Sequence, residues 1–174
     1  PYAITPSPPW RRAFAREELT RGHLLRALLR PTRPRSWRAA HETEILREFT
    51  QLLAIPNLAS DTPNIRRNAD AIVALFAKRR ITARLLESPG APPAVFASLP
   101  APGARRTVIF YAHYDGQPVD PAKWTGQPWE PVYRDGPVES GGKDVAPPAG
   151  AVDPRWMLYA RSASDDKAAI IAML

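Results

Sequence analysis

Cysteine is absent from the chain. That rules out both a disulfide framework and a thiolate metal site. It leaves the compartment open, because a cysteine-free chain tolerates oxidising and reducing surroundings alike. Long apolar runs are missing too: no stretch approaches the roughly 20 residues that a membrane span needs, so no span is expected. The lead-in also has no uninterrupted apolar region of the secretory-signal kind. Glycine is sparse, with 9 residues against 21 prolines, a balance that favours stiff connections and interrupted helices.

What is abundant is positive charge, with a formal net charge of +7. It is confined to the front of the chain. Residues 1–40 hold nine arginines and two glutamates, and residues 41–174 hold fifteen basic and fifteen acidic side chains. A nucleic-acid-binding domain carries its basic footprint on the folded body, and here the body is balanced. No nucleic-acid partner is expected, and any binding of that kind would rest on the lead-in alone.

Residues 1–36 read as a basic, Pro/Arg-rich leader without stable structure, in which Leu24, Leu25, Leu28 and Leu29 line one side of a short transient helix. Order is expected from Trp37 onward. Ile45, Leu46, Phe49, Leu52 and Leu53 follow helical spacing up to the stop at Pro56. Thr62 and Pro63 predict the N-cap and first position of a second helix, with Ile65, Ala69, Ile72, Val73 and Phe76 on its apolar face. Strands are predicted over Thr82–Glu87, Ala94–Leu99, Thr107–Tyr111 and Trp156–Tyr159. A Pro/Gly-rich excursion over 116–153 exceeds the usual limit of about 12–15 residues for structureless loops, so part of it should fold locally. From Asp166 a further helix begins. Helices alternating with strands define an α/β class with a mostly parallel or mixed sheet. The chain opens on proline and stops inside the apolar run 168–174, and we expect the natural protein to extend beyond both ends.

Two segments carry the chemistry. In Tyr111-Ala112-His113-Tyr114-Asp115-Gly116, at the exit of the predicted strand at 107–111, residues two apart face one side. Asp115 can therefore fix the tautomer of His113 and leave its other ring nitrogen for a metal. In Tyr159-Ala160-Arg161-Ser162-Ala163-Ser164-Asp165-Asp166-Lys167, small residues lead into a helix whose start carries two carboxylates. Ordinary hydrogen bonding explains the first segment without metal, and helix capping explains the second. Lys167 is expected to pair with nearby acids. His23 and His41 are expected to be solvated, and Trp124 and Trp129 to be packing residues.

Taken together, the segments resemble the zinc metallopeptidase family of acetylornithine deacetylase, succinyl-diaminopimelate desuccinylase, carboxypeptidase G and carnosinase. That family has a His-x-Asp after an apolar strand, then Gly-Arg-Gly-x-x-Asp-(Asp/Met)-Lys-Gly. The run YAHYDGQPVDPAKWTGQPWEP is similar to the dipeptidase branch, and the resemblance covers residues 37–174. Ala160, Ser162 and Ala168 stand where the family pattern has glycine; Ser162 is small enough to keep the turn, and alanine tolerates the angles expected at the other two.

The resemblance implies the front portion of a mixed-sheet catalytic domain, without its lid domain. On the resemblance, Asp165 would bridge two zinc ions and be followed by a peptide bond that in the family is often cis. His113 would bind one of those ions, and Asp115 would orient the imidazole as a catalytic-site residue. Mn2+ or Co2+ are alternative metals. The general-base glutamate and remaining ligands are expected beyond Leu174, so this stretch alone should be inactive. The implied activity is cleavage of an amide bond in a dipeptide by metal-activated water, with a homodimer allowed for the longer protein. Alternatives are a deacylase acting on small N-acyl amino acids and a non-catalytic binding protein that keeps the fold.

Overall fold

The computed structural model describes residues 32–174. Tertiary contacts divide the chain into two units, Pro1–His41 and Glu42–Leu174. The leader's short helix and His23 lie outside the described residues.

The first helix, α1, runs Thr32–Leu53, beginning five residues before the expected onset of order at Trp37. Pro34 does not prevent this, because a proline in the first turn removes only an N–H that has no helical partner. The second, α2, spans Thr62–Lys78. Its cap is Asp61, one residue earlier than the expected Thr62. The Asp61 carboxylate accepts from the Asn64 N–H at 3.2 Å and from Asn64 Nδ2 at 2.7 Å, and a short carboxylate serves this position as well as threonine. The buried face of α2 is Ile65, Asn68, Ala69, Ile72 and Leu75. Val73 and Phe76, expected on that face, are half-buried.

Strands β1 (Thr82–Ser88) and β2 (Ala91–Ser98) form an antiparallel hairpin closed at Gly90, whose φ of 73° suits glycine. The excursion is locally folded, as its length required. It contributes β3 (Val132–Arg134) and β4 (Asp144–Val145), and β5 (Met157–Tyr159) completes a three-stranded antiparallel sheet ordered β4-β3-β5. A last helix, α3, covers Lys167–Ala172.

The class is therefore mixed helix and strand, with small sheets. Two expectations need correction. Among the described residues every strand ladder is antiparallel, and the parallel pairing reduces to a single bridge between Leu58 and Gly116. The strand expected at Thr107–Tyr111 does not form. Apolar, β-branched composition suits a strand, but a strand exists only where a neighbouring backbone takes its N–H and C=O groups. Val108, Ile109, Phe110 and Tyr111 are 71–87% exposed instead.

The core lies between the helices. Leu52 from α1, Ile72 and Leu75 from α2, and Ile170 from α3 form one buried cluster, with Val95, Ala112 and Tyr114 packed against it. The two segments singled out in the sequence, about fifty residues apart, thus meet at the same core. No helix among the described residues is long and apolar enough to cross a membrane.

Candidate metal centre

The first segment enters the site after the unpaired run at 107–111 and is fixed by several hydrogen bonds. The Tyr114 hydroxyl donates to the Pro93 carbonyl of β2. The His113 N–H donates to Asp166 Oδ2 at 3.2 Å. The Gly116 N–H donates to the Asn57 carbonyl at 2.6 Å. Gly116 has no room for a side chain: a Cβ there would lie 2.9 Å from Ser162 Oγ and 3.0 Å from both side-chain polar atoms of Asn57.

The second segment leaves β5, turns, and enters α3. Ser162 adopts φ 63°, the left-handed conformation that ordinarily favours glycine. At this position the serine keeps the turn and also fills space, since its Oγ accepts from Asn57 Nδ2 at 2.9 Å. Ala160 and Ala168 are not among the residues with positive φ. The Asp165–Asp166 peptide is cis, the isomer that the resemblance implied. Asp166 occupies the N-cap position of α3, yet its side chain makes no capping bond. It holds the backbone of His113 instead, so helix capping does not account for that carboxylate.

These constraints bring His113 and Asp165 together across 52 residues, with His113 Nε2 at 3.0 Å from Asp165 Oδ1. On the other side of the ring, Nδ1 lies 3.0 Å from the Asp115 carbonyl oxygen and 3.3 Å from its carboxylate. The ring is oriented by Asp115, as the two-residue spacing predicts, but the main-chain oxygen is the nearer partner. Each nitrogen thus faces an oxygen acceptor, and both contacts become hydrogen bonds only when both nitrogens carry protons. Burial disfavours that charged ring, but the Asp115 carbonyl and the two carboxylates together outweigh it, holding the His113 pKa above its ordinary value.

Three residues of the site have roles that were not read from the sequence. Asn57 and Lys167 are fully buried, and Asp166 takes the role just described. Lys167 does not pair with acids. Its Nζ donates to the Leu52 and Ile55 carbonyls at 2.8 and 2.9 Å, bolting the end of α1 to the start of α3. Burial pushes its pKa down to about 7. Trp129 packs near this junction and donates Nε1–H to Asn57 Oδ1 at 3.1 Å. His41 is no part of the site: its ring stacks on Trp37 with centroids 4.2 Å apart, and its Nδ1 lies 2.8 Å from the Trp37 carbonyl oxygen.

No group of three or more His, Cys, Asp or Glu placed to hold a metal occurs among the described residues. The chain matches no family model, no curated protein and no solved structure.

Proposed function

We propose that His113 and Asp165 are two ligands of a divalent metal centre in an amide hydrolase of the dipeptidase type. Nε2 and Oδ1 are the two donor types zinc accepts beside thiolate. Their 3.0 Å separation is near the roughly 3.3 Å between neighbouring ligand atoms on a tetrahedral zinc. The convergence of these two atoms from distant segments is the observation that carries the reading. A proton on Nε2 and a metal ion would compete for the same lone pair, while Asp115 continues to fix the ring from the Nδ1 side.

A bound zinc, Mn2+ or Co2+ would polarise the scissile carbonyl and lower the pKa of an attacking water. The chain's own part is narrower. His113 and Asp165 present the donors, Asp115 holds the imidazole, and Asp166 holds the backbone that carries it. A dinuclear centre would need further donors and a proton-transferring group besides these. The substrate class proposed is a dipeptide, and a small N-acyl amino acid is the nearest competitor.

The test is hydrolysis by the full-length gene product. It should cleave dipeptides faster than N-acetyl amino acids, lose activity to a chelator and regain it with zinc. The opposite preference would make it a deacylase. Activity that survives complete metal removal would overturn the proposal, and absence of both activity and metal binding would leave a scaffold that keeps the fold.

A further inference from the structure

We infer that Asn57 is the positioning residue of this site: one buried amide that sets the distance between His113 and Asp165. The inference rests on the metal-centre reading for its purpose, though not for its geometry. Asn57 is 0% exposed and sits in the connection between α1 and α2, outside both chemistry-bearing segments. Its Nδ2 donates at 2.9 Å to the carbonyl of Tyr114, the residue between His113 and Asp115. The same nitrogen donates at 2.9 Å to Oγ of Ser162, three residues before Asp165. Its Oδ1 accepts from Trp129 Nε1, and its main-chain oxygen accepts from the Gly116 N–H.

The orientation of this amide is not free. A carbonyl can only accept and an indole N–H can only donate, so Tyr114 and Trp129 together decide which end is nitrogen. Both protons of Nδ2 are then used, one on each segment. Asp at this position would set an oxygen against the Tyr114 carbonyl, and the amide already lies within 3.0 Å of where a Gly116 Cβ would stand. Gly116 and Ser162 are shaped around the same side chain: one lacks a Cβ that would clash with it, and the other takes a left-handed turn that lets Oγ reach it. Residues 57, 114, 116 and 162 therefore meet at one buried point, with the two proposed ligands projecting beyond it.

Asn68 supplies the control. It too is 0% exposed, and its Nδ2 donates to the Pro56 and Asn64 carbonyls at 2.8 Å each, so neither of its hydrogen bonds reaches the two segments. A role limited to stability predicts similar behaviour for the two asparagines, whereas a positioning role predicts that they differ.

The experiment measures proximity without metal. Because the chain has no cysteine, His113→Cys with Asp165→Cys provides a clean pair for a short bifunctional thiol reagent in the full chain. Adding Asn57→Ala should slow crosslinking at least about fivefold, since ångström-scale misplacement carries penalties of that order or more. Adding Asn68→Ala should lower Tm yet leave the crosslinking rate within about twofold of the parent pair. If Asn57→Ala does not fold, Ser162→Ala removes one of the same hydrogen bonds and should slow crosslinking in the same direction. Unchanged crosslinking in the Asn57 or Ser162 variant, or equal slowing by Asn68→Ala, would overturn the inference. Zinc binding is read separately, on the chain with His113 and Asp165 intact. Fast crosslinking in the parent pair combined with no zinc binding would sink the metal reading while leaving Asn57 as the organiser of the junction.

Discussion

The apolar side chains of the helix–helix junction and those of the run at 107–111 have opposite fates in the structure. Leu52, Leu53, Ile65, Ala69 and Ile72 are at most 3% exposed, whereas Val108, Ile109, Phe110 and Tyr111 stand 71–87% in solvent. The helical residues supply their own backbone hydrogen bonds, so they need only an apolar face opposite, and the other helices, the β1–β2 hairpin and Ala112 and Tyr114 provide it. A strand needs a neighbour's backbone as well as a cover for its faces. Hydropathy thus reports what a segment favours burying; whether it is buried depends on the partner.

The sharpest way to test that contrast is to cut into the packed side. Leu52→Ala or Ile65→Ala should cost about 3 kcal/mol of unfolding free energy, a lost side chain plus the cavity it leaves. Denaturant titration would show it, and a loss below about 1 kcal/mol would mean that this region is not packed as described.

Lys167 comes next, because it joins the junction to the site. Lys167→Ala should cost about 2 kcal/mol, and Lys167→Met less, since methionine keeps the volume and removes only the donor to two carbonyls. Equal losses in the two variants would show that the hydrogen bonds, not the packing, hold α1 to α3.

The pH dependence tests the edge of the same junction. Glu48 is buried beneath Lys78 and Arg79, at 3.0 and 2.7 Å. Burial alone would raise its pKa, but the bonds to Arg79 and Lys78 prevail and lower it below the usual carboxylate value. A carboxylate lowered in the folded state contributes stability that is complete above its unfolded pKa and is lost as pH falls through the folded one. Unfolding free energy should therefore drop below about pH 4.5, and Glu48→Gln should flatten that drop. A curve with the same slope in both proteins would contradict the pairing.

The smallest effect on stability belongs to the exposed run. Ile109→Lys or Phe110→Lys should shift unfolding by no more than about 0.5 kcal/mol, because neither side chain is buried. Each should reduce self-association measured by sedimentation, since an uncharged, β-prone run in solvent is an association hazard. A loss of several kcal/mol would mean that the run has a partner after all.

Much of the helical structure was legible because the signals are local. The spacing at Ile45, Phe49 and Leu52 and the Pro63 start point to their own elements. The strands on either side of Gly90 were legible for the same reason, but their antiparallel pairing was not; local folding of the excursion was read from its length alone. His113, Asp115 and the Asp165-Asp166 pair stood out as compact patterns, but the choice of Asp165 as a ligand came from the family resemblance. Asn57 was not legible: an asparagine after Pro56 reads as a turn residue, and its value comes from partners 57, 72 and 105 positions away. Lys167 misled for a related reason, since a lysine following two aspartates suggests an ion pair, while burial sends its ammonium to carbonyls at the end of α1. Asp166 could have been found by asking which of two adjacent carboxylates remains for the backbone once the other faces the imidazole.

The most direct measurement is the nitrogen spectrum of the chain's three histidines during zinc titration. Zinc should displace the Nε2 resonance of His113 alone, leave its Nδ1 protonated against the Asp115 carbonyl, and lose this effect in Asp165→Ala. A spectrum in which zinc moves His23 or His41 first, or leaves His113 unchanged, would contradict a metal held between residues 113 and 165.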